Sequence, residues 1–260
     1  MESTRKKIIF VDDINYSLLT VKDRLKGNYE VFLAQSSAKL FEILDNVKAD
    51  LIMLDVNMPQ FNGYEILALL KADKDFADIP VIFLTSQNDK ASVTRAMALG
   101  AVDYFLKPFV DSKLIECIEN HLDPEKREEY RPKILAVDDN PSILKAVYYI
   151  LSSQYKVYTL NEPEKLSEFL ENVHPNLFIL DYKMPGLSGF DLVPIIRDIP
   201  MHSNTPIIFL TSEGTADKIL DARCLGASGY IVKPINENVL REKIAYHIVD
   251  HLLWRRIRVR

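Results

Sequence analysis

Two cysteines in 260 residues, Cys117 and Cys224, leave no basis for a disulfide framework and fit a reducing compartment. No apolar run approaches the roughly 18 residues of a membrane span. The opening MESTRKKIIF is too polar, and its apolar run too short, for a signal peptide. Glycine and proline number 8 and 13, which excludes low-complexity and collagen-like chains. An excess of one charge is also missing. The 32 basic and 37 acidic residues leave −5, which offers no general attraction to nucleic acid or an anionic membrane. What the chain does have is a 48% hydrophobic fraction, enough for ordinary globular cores. The expectation is a soluble cytoplasmic protein with no membrane span and no direct nucleic-acid partner.

The chain repeats itself. IIFVDD at Ile8–Asp13 returns as ILAVDD at Ile134–Asp139, and LIMLD ending at Asp55 returns as LFILD ending at Asp181. PVIFLTS from Pro80 returns as PIIFLTS from Pro206, and LGAVDYFLKP ending at Pro108 returns as LGASGYIVKP ending at Pro234. Every pair is offset by 126 positions, too long for a solenoid unit, so a whole domain is duplicated. The expected division is a first domain over 1–123, a linker over 124–132, a second domain over 133–250, and a basic helix end over 251–260.

Within each half, short apolar runs alternate with helical stripes. IIFV, YEVFLA, LIML, VIFL and YFL read as five strands, three of them continuously apolar, as in a parallel sheet covered on both faces. Leu40, Phe41, Leu44 and Val47 form one helical stripe; Leu114, Ile115 and Ile118 form another. Leu166, Phe169, Leu170 and Val173 repeat the first in the second half. Five β–α alternations imply a doubly wound α/β domain, twice over.

The polar residues at the strand ends carry the chemistry. Asp12 and Asp13 follow IIFV, Asp55 follows LIML, Thr85 follows VIFL, and Lys107 follows YFL. In an open α/β sheet the carboxyl ends of the strands converge on one crevice. The second half offers Asp138, Asp139, Asp181, Thr211 and Lys233 at identical spacing. A lone AspAsp is most often a turn or a helix cap, but this joint occurrence, twice, argues for a site. Three close carboxylates need a cation, and hard oxygens with open water positions suit Mg²⁺, with Mn²⁺ as the alternative. Lysine and threonine can meet a phosphoryl group, and an aspartate can accept one. Asp55 is the expected acceptor, since it stands alone on the central strand while the paired aspartates share the metal.

In order along each half, the VDD, the LD·NMP or LD·KMP box with its following G[YF][ED], the [VI]IFLTS strand and the Y··KP ending resemble the receiver domains of two-component response regulators. The resemblance covers nearly the whole chain. It implies two tandem (βα)5 flavodoxin-like domains, each with a five-stranded parallel sheet in the order 2-1-3-4-5. It implies phosphorylation of Asp55 and Asp181 by a sensor histidine kinase, a phosphotransfer protein or a small phosphodonor, and a protein that is not an enzyme beyond its own phosphorylation and dephosphorylation. Asp13 and Asp139 would bind Mg²⁺ directly, and Asp12 and Asp138 largely through water. Asp55 and Asp181 would be both ligand and acceptor, and the carbonyls of Asn57 and Lys183 would complete the set. Thr85 with Tyr104, and Thr211 with Tyr230, would switch the surface of the fourth helix, fifth strand and fifth helix for partner binding or dimerisation, between chains or between the two receivers. The resemblance also implies cis peptides before Pro108 and Pro234.

The halves differ around these positions. Asn57 faces Lys183 across the repeat, and Gln87 faces Glu213, which predicts phosphoryl groups of different lifetimes. Pro194 should kink the third helix of the second half or sit in its first turn, and Gly214 should loosen the loop before the fourth. The five histidines show no metal-ligand spacing with cysteine and read mostly as surface residues; the cysteines read as core or surface thiols. Leu240, Ile244, Ile248 and Leu252 extend the last helix toward an end with four arginines in six residues, beside Trp254. Two rival readings remain: the receiver part of a longer regulator with a downstream effector such as a diguanylate cyclase, and an Mg²⁺-dependent phosphatase with an aspartate nucleophile. The Asp-Val-Asn order at Asp55 departs from the Asp-x-Asp loop usual in the latter.

Overall fold

The computed structural model describes residues 5–58, 62–87, 89–212 and 226–253. Two compact units emerge, dividing between Tyr130 and Arg131. In the first, the elements run β1 (Lys7–Val11), α1 (Asn15–Leu25), β2 (Glu30–Ala34), α2 (Ser37–Leu44), β3 (Leu51–Leu54), α3 (Gly63–Ala72), β4 (Val81–Thr85), α4 (Lys90–Ala98), β5 (Asp103–Leu106) and α5 (Asp111–Leu122). The polar stretch that follows forms α6 (Pro124–Tyr130). The second unit runs β6 (Lys133–Val137), α7 (Pro141–Leu151), β7 (Lys156–Leu160), α8 (Leu166–Asn172), β8 (Leu177–Asp181), α9 (Gly189–Arg197), β9 (Ile207–Thr211), β10 (Gly229–Val232) and α10 (Glu237–Ile248). Its expected fourth helix, with Glu213, Gly214 and Cys224, lies outside the described residues, as do Trp254 and the terminal arginines.

Both sheets are parallel, in the orders β2-β1-β3-β4-β5 and β7-β6-β8-β9-β10. These are the 2-1-3-4-5 arrangement that the resemblance implies. The continuously apolar strands β1, β3 and β4 are buried along nearly their whole length because helices cover both faces. On one face of the first sheet, Leu18, Val21 and Leu25 of α1 meet Leu114, Cys117 and Ile118 of α5 over Ile8, Phe10 and Met53. Each such fully buried aliphatic side chain contributes about 1.5–3 kcal/mol over exposure.

Pro194 lies in the middle of α9 rather than in its first turn. Leu240, Ile244 and Ile248 of the last-helix stripe are fully buried, and the chain winds on from α10 into a π-turn over Val249–Leu253, past residue 250 as expected; the side chain of Leu252 and everything beyond Leu253 lie outside the described residues. Two histidines contradict the surface reading, since His121 and His202 are both buried. His202 occupies the turn before β9, where its Nδ1 meets the Thr205 hydroxyl at 3.1 Å.

Candidate functional site: two acidic clefts at the strand ends

The sheet ladder extends one residue past each strand, and this fixes where the acidic side chains emerge. Asp12 N–H donates to the Ala34 carbonyl (3.1 Å), Asp55 N–H to that of Val11 (2.9 Å), and Lys107 N–H to that of Thr85 (2.8 Å). The backbone is therefore held on both sides of the crevice before any side chain acts. Asp12 and Asp55 are buried and Lys107 is half-buried. The Lys107 ammonium stands between them, donating to Asp12 Oδ2 at 2.6 Å and Asp55 Oδ1 at 2.9 Å. Asp12 also accepts from Ile14 N–H (2.8 Å) and the Ser17 hydroxyl (2.6 Å), and Asp55 Oδ2 accepts from Asn57 N–H (2.7 Å). These donors satisfy carboxylates that burial would otherwise penalise.

The second unit repeats the arrangement. Lys233 donates to Asp138 Oδ2 at 2.7 Å and to Asp181 Oδ1 at 2.8 Å, and Asn140 N–H caps Asp138 Oδ1 at 2.8 Å. Ligand oxygens of Asp138, Asp139 and Asp181 all lie within 4.8 Å of one another. Together with Tyr182, Lys183, Thr211 and Lys233 they line a cleft of about 260 Å³. Burial raises the Asp55 carboxyl above its ordinary range; the Lys107 ammonium opposes this and the Asp12 charge adds to it. Asp181 is raised in the same way, by burial and by Asp138 and Asp139, against the pull of Lys233. Lys233 itself is affected most by burial, which acts to lower it, but its bonds to Asp138 and Asp181 together outweigh that and raise it. In the second unit the gathered Asp138, Asp139 and Asp181 are the donor set that a hard divalent cation fits.

The helix after each acceptor strand explains the Gly-aromatic-acid signature. Gly63 and Gly189 begin α3 and α9 so close to the strand ends that an added Cβ would lie 2.3 Å from the Asp55 carbonyl oxygen and 2.1 Å from that of Asp181. The aromatic after each glycine packs on the fourth strand: Tyr64 on Phe83 (5.4 Å between centroids) and Phe190 on Phe209 (4.9 Å). The acid closes a capping box, Asn62 with Glu65 and Ser188 with Asp191, in which side chain and backbone satisfy one another.

Beyond the carboxylates the two sites diverge. Tyr104 is fully buried, packs against Phe83 at 6.0 Å, and donates its hydroxyl to the Gln87 carbonyl at 3.0 Å. Burial pushes this phenol far above its ordinary range, which keeps it a neutral donor. Thr85 is buried and accepts from Gln87 N–H at 3.2 Å, while the Gln87 side chain donates to Asn57 Oδ1 at 2.9 Å. Gln87 thus ties the expected threonine, tyrosine and asparagine positions together, a connection that sequence spacing did not reveal. In the second unit Tyr230 is only half-buried, with the Lys243 ammonium 4.5 Å above its ring. Tyr182, where the first unit has Val56, packs on Phe190 (4.6 Å) and Phe209 (6.4 Å). Phe209 is the counterpart of the ring that Tyr104 uses. Thr211 is buried, whereas Asp139 and Lys183 are exposed, and both expected cis peptides are present. The expected contrast of Gln87 with Glu213 lies outside the described residues on the second side.

The family described as the response regulator receiver domain matches residues 8–119 and again 134–245. The chain belongs to the response regulator receiver family. This tandem receiver chain is 35% identical over 196 residues to the protein RcaC of Microchaete diplosiphon, covering 73% of this chain and 30% of that one. It is 33% identical over 116 residues to the chemotaxis protein CheY1 of Helicobacter pylori, covering 44% of this chain and 94% of that one. Over 122 residues it is 32% identical to a probable cyclic di-GMP phosphodiesterase of Vibrio cholerae, covering 47% of this chain and 28% of that one. A solved chain assigned as a two-component system response regulator/GGDEF domain protein matches with a TM-score of 0.50 at 17% identity, covering 95% of this chain and 99% of that one, a likeness of fold. The tandem receiver chain therefore spans under a third of two of these curated relatives. No described helix is long and apolar enough to cross a membrane.

Proposed function

We propose that the tandem receivers accept phosphoryl groups on Asp55 and Asp181 and pass the signal on through their surfaces. One observation carries this reading: each unit holds an aspartate at the end of its central strand, joined through a single lysine to a second buried aspartate. A phosphohistidine of a sensor kinase or phosphotransfer protein, or a small phosphodonor, presents phosphorus to the aspartate oxygen. An O–P bond forms as the bond from phosphorus to the donor breaks, and the donor leaves with the electron pair. Lys107 and Lys233 are placed to meet phosphoryl oxygens, and Thr85 and Thr211 to donate a hydroxyl. Bound Mg²⁺, held by Asp13, Asp55 and the Asn57 carbonyl, or by Asp139, Asp181 and the Lys183 carbonyl, with Asp12 and Asp138 behind, would neutralise developing charge. Engagement of Thr85 then pulls on Gln87, and through it on Tyr104, which links the first cleft to the surface of α4, β5 and α5.

Incubation with Mg²⁺ and a small phosphodonor, then borohydride trapping and peptide mapping, tests the assignment. Trapped label on Asp55 and Asp181 supports it, and label elsewhere overturns it. Continued release of phosphate from a phosphomonoester would instead favour the phosphatase reading. The partial span of RcaC and the Vibrio cholerae relative favours a second reading, in which these receivers act as the input of a longer regulator; the reading frame beyond Arg260 decides it.

A further inference from the structure

At the opposite end of β5 from Lys107, about 13 Å along the strand, three side chains outside the acidic cleft converge. Asp103 opens β5; Cys117 and His121 sit four residues apart in α5, one turn above the other on the face turned to the sheet. All three are buried, Asp103 to 1%, Cys117 to 2% and His121 to 6% exposure, and a ligand atom of each lies within 4.8 Å of the others. This overturns the expectation that no histidine pairs with a cysteine at ligand spacing. Asp103 Oδ1 accepts from Tyr104 N–H at 2.8 Å, which turns Oδ2 toward the sulfur at 3.1 Å and His121 Nε2 at 3.4 Å.

Without an ion, the thiol donates to Oδ2 and the imidazole makes a long contact with the same oxygen, and both spacings lie close to those between ligands of one metal. A charge-assisted imidazole–carboxylate hydrogen bond should be about 2.7–2.9 Å. The O···N edge of a tetrahedron around zinc, with both bonds about 2.0–2.1 Å, is about 3.3 Å. At 3.4 Å the contact is longer than such a bond and close to the edge. The S···O edge of the same tetrahedron is about 3.5 Å, so the sulfur needs to withdraw only a few tenths of an ångström. His121 Nδ1 is buried without a hydrogen-bond partner, so this imidazole has no strong hydrogen bond at either nitrogen. The charges agree as well. A thiolate and a carboxylate together balance a divalent cation, and a buried site must be close to neutral.

We infer that Asp103, Cys117 and His121 form a binding site for a zinc-class divalent ion, separate from the carboxylate clefts and, among the described residues, found in the first receiver alone. Thiolate and imidazole ligands select this class over Mg²⁺ or Ca²⁺. Binding forms a metal–sulfur bond as the thiol proton passes to solvent, with no change of oxidation state. The counterparts in the second receiver, Gly229, Lys243 and His247, include neither carboxylate nor thiol, and Lys243 instead donates to the Tyr230 carbonyl. Because Asp103 precedes Tyr104, an ion here would fasten α5 to the strand that carries the switch tyrosine.

The test is titration of the full chain with Co²⁺ in saturating Mg²⁺, which fills the oxygen-only clefts. The wild type should develop a thiolate-to-cobalt charge-transfer band that saturates at one equivalent and is displaced by Zn²⁺. Cys224→Ser should keep the band and Cys117→Ser should lose it. His121→Gln and Asp103→Asn retain the thiol, and each should weaken Co²⁺ binding by at least about tenfold while far-ultraviolet circular dichroism stays native. Absence of the band in the wild type, its persistence in Cys117→Ser, or unchanged affinity in both ligand variants would overturn the site.

Discussion

Replacing Gly63 by alanine tests how the acceptor loop is built. The new methyl would lie 2.3 Å from the Asp55 carbonyl oxygen, 2.8 Å from the Phe83 ring and 3.0 Å from Val56 Cα, where ordinary contact begins at 3.4 Å. Two of these three neighbours are backbone, so rotation of a side chain cannot relieve the overlap. Strand β3 and helix α3 must move apart by about 1 Å, at the upper part of the overpacking range, about 2–3 kcal/mol. For a unit of this size that lowers its melting transition by roughly 8–12 °C. Gly27→Ala is the internal control. A Cβ there meets nothing within 4 Å, so it should be neutral or stabilising by up to about 1 kcal/mol. Calorimetry of the full chain should show the Gly63→Ala shift on one transition and the matching Gly189→Ala shift on the other. If Gly63→Ala costs no more than Gly27→Ala, the close approach that explains the Gly-aromatic-acid signature is wrong.

Lys107→Met leaves Asp12 and Asp55 facing each other without their shared cation; in metal-free buffer it should cost about 3 kcal/mol by urea unfolding, and Mg²⁺ should restore part of the loss. An unchanged midpoint would contradict the bridging role. Tyr104→Phe removes a buried bond to the Gln87 carbonyl and should cost about 1 kcal/mol, whereas Tyr230→Phe, half-buried, should cost less than about 0.5 kcal/mol. Equal losses would argue against the asymmetry of the two sites. Burial raises the Asp55 carboxyl above its ordinary 3.8, so ionising it costs more in the folded than in the unfolded chain. Its favourable contribution is therefore complete below the unfolded value and is lost as pH rises through the folded one. The wild type should lose stability relative to Asp55→Asn across that window, and a pH-independent difference between the two would refute the shift.

Much of this was legible because the decisive residues sit where period-2 and period-3.6 patterns end. Asp12, Asp55 and Lys107 each follow an apolar run that could only be a buried strand, and parallel topology then brings them together. Repetition at one offset removed the ambiguity of any single motif. The rest depended on contacts between positions with no common pattern. Gln87 joins Thr85, Asn57 and Tyr104 through both its backbone and its side chain, which spacing cannot show. Tyr182 stands where the first unit has Val56, yet it packs on Phe209, the counterpart of the Phe83 ring that Tyr104 uses. Lys71 and Arg197 carry no sequence pattern for the same reason: each turns back from its helix to bind loop carbonyls, those of Ala77 and Ile79 or of His202 and Thr205. Asp103 is separated from Cys117 by the whole turn into α5, so only the packing of α5 on β5 brings them together.

The central claim is that this chain carries two independent phosphoryl acceptors. Intact mass after saturating phosphodonor with Mg²⁺, read on the wild type, Asp55→Asn, Asp181→Asn and the double variant, tests it most directly. The account predicts two, one, one and no added phosphates, with none on any protein when Mg²⁺ is chelated. Label that persists on the double variant, or a wild type that takes none, would contradict it.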